Sequence, residues 1–146
     1  MKEEFVEGNL ATKIKLLVLL GIFIAVLFVT TLLSEKYENA READNIAELQ
    51  DTINLLQIFL PIEAVILGYF AILSLYLSFR VKKSGSWPPP GIRAAFRTRV
   101  RRGEYATVMW MTLILAGCVF IVEVYLKFYE WHLIYKVYKV LKWLSL

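Results

Sequence analysis

Few residues in this chain could carry chemistry. Glu63 and Glu123 are carboxylates set in apolar surroundings. An ionised side chain there is expensive and by default marks a proton or cation path. Glu123 has Lys127 four residues on, the favourable order for a helical ion pair. Glu63 follows Asn54 and Gln57, with which it could share a polar layer, or it could face a partner subunit. His132 is the one histidine. It cannot ligate a haem from both sides within one chain, and no Cys/His cluster accompanies it for zinc. The one cysteine, Cys118, forms no intrachain disulfide or CxxC pair and reads as a small buried apolar residue. No GxSxG, HExxH, Walker or GxGxxG pattern occurs. The sequence therefore predicts a protein that is not an enzyme, with no catalytic, cofactor or metal site.

The strongest charge pattern is a run of arginines, Arg93, Arg97, Arg99, Arg101 and Arg102. Drawn as a helix over 92–102, Ile92, Phe96 and Val100 form one stripe, and Arg93, Arg97 and Arg101 an adjacent one. The spacing predicts a short basic amphipathic helix lying on the bilayer. There each basic residue gains about 1 kcal/mol near anionic headgroups. The blander reading, that the same arginines are a positive-inside topology signal, comes first, and an anionic lipid or partner contact comes second. Nucleic acid is the weakest reading, since neither a recognition motif nor an aromatic stacking platform accompanies the phosphate-binding side chains.

The elements that must position these residues are three apolar runs. Residues 16–33 carry no charge, and 105–126 carry only Glu123. Runs of about 20 apolar residues match a hydrocarbon core about 30 Å thick. A third run, 55–79, is less clean: 64–79 is free of charge, but Gln57, Pro61 and Glu63 precede it. Of the 146 residues, 58% are hydrophobic, above the 45–50% or so of soluble domains. The first run is too long for a signal-peptide core and lacks an A-x-A-like cleavage site, so it reads as a retained signal anchor.

Charge sets the expected topology. Segment 34–52 holds six acids (Glu35, Glu38, Glu42, Asp44, Glu48, Asp51) against Lys36 and Arg41. Segment 80–104 holds eight basic residues, the five arginines with Arg80, Lys82 and Lys83. Lys2, Lys13 and Lys15 precede the first run. By the positive-inside rule 80–104 and the N-terminus are cytoplasmic, and 34–52 and the C-terminus lie outside. Lys127, Lys136, Lys139 and Lys142 argue weakly against this and are outnumbered.

The acidic segment has apolar residues at helical spacing and no Gly or Pro, so it predicts two helices joined near 39–45, an acidic hairpin that a basic partner could dock on. Ser84 to Gly91 reads as a turn and a stiff polyproline stretch. Residues 130–146 place Leu133, Ile134, Val137, Val140, Leu141 and Leu144 on one side and Lys136, Lys139, Lys142 and His132 on the other. That split predicts a C-terminal interfacial amphipathic helix. Trp87, Trp131 and Trp143 read as interfacial anchors.

The expected fold class is all-α: one integral membrane domain over 1–146, with three transmembrane helices, the short basic helix and the C-terminal amphipathic helix. The expected role is that of an accessory or structural subunit in a larger membrane complex, an energy-transducing one being a plausible home. Its partners would be other membrane subunits or copies of itself, with anionic lipid headgroups. A self-assembling coat protein with the arginines facing nucleic acid or lipid is the second reading. A proton- or ion-conducting oligomer using Glu63 is the third. Three spans without an internal repeat argue against transport by this chain alone.

Overall fold

A computed structural model describes residues 5–144. Lys2 of the N-terminal basic set, and residues 145–146 of the expected C-terminal helix, lie outside the described residues. The described chain is dominated by three α-helices: α1 (Leu10–Glu42), α2 (Ile46–Ser84) and α3 (Glu104–Leu144). Their 33, 39 and 41 residues correspond to about 50, 58 and 62 Å at about 1.5 Å per residue. All three are long and apolar enough to cross a membrane. The expected spans 16–33, 55–79 and 105–126 lie inside them, and every helix overshoots its span.

Sequence explains the overshoot. No Gly or Pro falls between Gly21 and the end of α1, or after Gly117 in α3. A nucleated helix then propagates at little cost. The helix α2 also runs through Pro61 without a break. Side chains close the ends. Asn9 accepts a bond from the Thr12 amide at 3.1 Å, capping α1. At the other end of α1, Asp44 takes the left-handed conformation (φ 51°) and Asn45 N–H returns to the Ala40 carbonyl at 3.1 Å. Asn45 Oδ1 then caps α2 by accepting from the Glu48 amide at 3.3 Å, while Asn45 Nδ2 donates to the Glu48 carboxylate at 3.1 Å. The join of α1 and α2 thus falls inside the interval 39–45.

Two compact units divide the chain. The first runs to Gly21 and includes Tyr69–Ile121; the second comprises Ile22–Gly68 and the chain from Val122. In the first unit, α2 and α3 approach closely at Gly117, where a Cβ would lie 2.8 Å from Leu75 Cγ. Phe70 and Phe120 pack beside this contact with centroids 5.8 Å apart. In the second unit the interior is built on α2, from Ile53, Leu56, Leu60, Glu63, Ala64 and Leu67, with Val26, Thr30 and Ala40 from α1. Of the most apolar window of each helix, 28% is buried in α2 but only 6% in α1 and α3. The two flanking helices therefore leave most of their apolar surface uncovered.

Two sequence expectations change here. The basic amphipathic helix over 92–102 does not form. Instead β1 (Phe5–Val6) pairs antiparallel with β3 (Thr98–Arg99), and β2 (Ser86–Trp87) with β4 (Arg101–Arg102). A helix there would be marginal at that length and would stack Arg93, Arg97 and Arg101 as like charges at i, i+4. The β-branched Thr98 and Val100 suit extended backbone. The N-terminal segment also supplies backbone partners, as in Asn9 N–H to the Ala94 carbonyl at 2.8 Å. Gly8 permits that approach: a Cβ there would meet Arg97 N at 2.9 Å.

The second correction concerns 130–146, which is not a separate interfacial helix. Its described part continues α3 without a break, because nothing in the sequence after Gly117 stops the helix.

Candidate functional site

Among the described residues, the one strongly buried carboxylate lies in the second unit. Glu63 is 1% exposed and projects from α2 against α3. Lys127 Nζ lies 3.6 Å from its Oε1 and 3.1 Å from Glu130 Oε2. Lys127 thus turns to Glu63 and Glu130, and not to Glu123 as the i, i+4 spacing suggests. A buried ionised carboxylate demands a counter-charge more strongly than a half-exposed one on the same helix. Glu123 is half-buried and has no ion pair among the described residues. Glu63 Oε2, Gln57 Nε2 and Trp131 Nε1 are buried without hydrogen-bond partners. Nearby, Tyr37, Arg41, Leu56, Leu60, Lys127 and Ile134 help to line a groove of about 360 Å³ between the three helices of this unit.

The first unit holds the basic surface. Arg93, Arg97, Arg99, Arg101 and Arg102 are all exposed, on the connection between α2 and α3. The fold gives several cations an aromatic partner. Arg97 lies over Phe5 at 4.7 Å, Arg101 over Tyr105 at 4.6 Å, Lys13 over Phe96 at 5.0 Å and Lys82 over Trp110 at 4.8 Å. Arg97 also sits 3.6 Å from Glu7. Arg80 donates to the Pro90 carbonyl at 2.6 Å and to the Tyr76 hydroxyl at 3.1 Å. With Lys83 and Phe79 these residues line an open groove of about 530 Å³. A cation held over a ring keeps its charge available to an anion on its other side, so this surface is suited to phosphate-bearing groups.

The tryptophans differ from one another. Trp87 is half-buried and pairs through its backbone with Arg101. Trp131 is half-buried and stacks on Tyr135, with centroids 6.0 Å apart. Trp143 is 76% exposed. His132 is exposed as well. Cys118, expected to be buried, is exposed on α3; the packing contact of that turn is made by Gly117 instead. Among the described residues no three His, Cys, Asp or Glu side chains gather as a metal site.

Sequence reasoning missed Lys127 as the partner of Glu63. The available signal was weak: Glu63 precedes the charge-free stretch of α2, and Lys127 lies one turn beyond Glu123, which ends that of α3. It also missed the docking of Phe5 to Asn9 on the connection, for which only Gly8 gives a hint. No protein-family model, characterised protein or solved structure matches the chain.

Proposed function

We propose that this chain is a non-enzymatic structural or accessory subunit of a larger membrane protein assembly. The observation that carries this is the continuity of α3. Its expected apolar span ends at 126, yet it continues to Leu144 with Leu133, Val140 and Trp143 exposed. A separate amphipathic helix could bury such residues by lying in the membrane plane. The end of a continuous spanning helix has no such recourse, so these side chains need protein to cover them. Exposed apolar surface continuing past a span marks an interaction site.

Orientation follows from charge. The basic connection and Lys13 and Lys15 belong to the cytoplasmic side, and the acidic hairpin with the end of α3 to the other. On that side of the account the arginine surface holds anionic lipid headgroups. Extraction in mild detergent, followed by mass measurement of the intact particle, tests the reading. Other polypeptides in fixed ratio to this chain are expected; a particle holding this chain alone overturns it.

A self-assembling structural protein is the second reading. It is favoured by one observation: α1 and α3 both expose long apolar stripes on a single chain. If it were a coat protein, nucleic acid would co-purify and be lost when Arg93, Arg97 and Arg101 become Ala. Nothing in the geometry favours the ion-conducting reading, since Glu63 is buried against Lys127.

A further inference from the structure

In the second unit α1 and α3 each carry an exposed stripe with the spacing of a coiled-coil seam. On α3 it comprises Leu126, Tyr129, Leu133, Lys136, Val140 and Trp143, all exposed, at steps of three and four. On α1 it comprises Phe28, Leu32, Glu35, Asn39 and Glu42, also all exposed, at steps of four and three. Residues alternating at three and four present one face to a neighbouring helix for several turns; on α1 only Phe28 and Leu32 of that face are apolar, and its other positions are polar or acidic. The α2 helix reverses the chain between them, so α1 and α3 run in the same sense.

The charges on the two stripes are opposite. Lys136, with Lys139 one turn on, marks the α3 stripe, and Glu35 and Glu42 mark the α1 stripe. None of these four has an ion-pair partner among the described residues. Copies inserted alike in one membrane can meet symmetrically or head to tail. A symmetric α3 contact sets Lys136 against Lys136, and a symmetric α1 contact sets Glu35 against Glu35; like charges opposed in this way disfavour the pairing. Only the head-to-tail contact brings Lys136 and Lys139 to Glu35 and Glu42.

We propose that a second copy of this chain seats its α1 stripe on the α3 stripe, so that the assembly contains a head-to-tail array of this protein. This rests on the reading of the chain as a subunit, and adds that it is present in more than one copy.

Cysteine crosslinking and charge reversal test it on the full chain with Cys118→Ala as background. In native membranes, Asn39→Cys on one copy is expected to crosslink to Val140→Cys on another. In the purified protein, Lys136→Glu with Lys139→Glu, or Glu35→Lys with Glu42→Lys, is expected to weaken self-association by about tenfold. All four changes in one chain are expected to restore it, which also answers a folding defect. Symmetric crosslinks only, or no restoration, overturn the proposal. A different polypeptide crosslinked at Val140→Cys, with no self-crosslink, removes the self-contact and leaves the subunit reading standing. Self-crosslinks in a particle with no other protein do the reverse.

Discussion

Removing either member of the Glu63–Lys127 pair should destabilise the second unit, but by unequal amounts. Glu63 is 1% exposed, while the Lys127 side chain is 21% exposed and keeps Glu130 at 3.1 Å when Glu63 is changed. Lys127→Met leaves a buried carboxylate without its counter-charge, a situation that costs about 3–5 kcal/mol. Glu63→Gln leaves the lysine with Glu130 and an amide in place of the carboxylate, at about 1.5–3 kcal/mol, the scale of one polar interaction with a charged group. The double variant removes the orphaned charge, so its cost should fall below that of Lys127→Met alone. Reversible unfolding in mixed micelles, followed by circular dichroism, gives all three values. If Lys127→Met costs no more than Glu63→Gln, or if the double variant costs the sum of the singles, the buried-pair reasoning is wrong.

Three further outcomes follow from the same geometry. Gly117→Ala places a methyl group 2.8 Å from Leu75 Cγ, and overpacking of this kind costs about 1–3 kcal/mol in the same unfolding measurement. Gly8→Ala drives a Cβ into the backbone at Arg97 and Phe96; hydrogen exchange at the Asn9 amide should rise while the amides of α2 keep their protection. Changing Arg93, Arg97 and Arg101 to Ala should lower the anionic lipid retained by the purified protein, at a scale of about 1 kcal/mol per residue, and retention unchanged by all three substitutions would refute a headgroup role for this surface.

How much was legible in the sequence depends on how local the cause is. The helices were legible because 16–33, 55–79 and 105–126 are long apolar runs. Their join was legible because Asn39, Asp44 and Asn45, residues that favour turns and caps, fall between the two helical patterns. The connection was not. The helical stripe of Ile92, Phe96 and Val100 is real in the sequence, but Phe5 pairs with Arg99, and pairing over such a separation leaves no periodic trace. The continuity of α3 was obscured by the change of pattern near 130, from uniformly apolar to two-sided. Hydrophobic pattern reports what surrounds a helix, whereas its end is set by stop signals, and α3 has none there. Lys127 fits the local i, i+4 rule with Glu123, yet a buried carboxylate on α2 outcompetes it, and burial is a tertiary property.

The most direct test of the central claim is a photocrosslinking side chain at Val140 in intact membranes. Val140 is 57% exposed on the part of α3 that continues past the apolar stretch. If a partner covers this face, irradiation yields adducts with protein, either another polypeptide or a second copy. Adducts with lipid alone would place the end of α3 in the membrane interface and contradict the account.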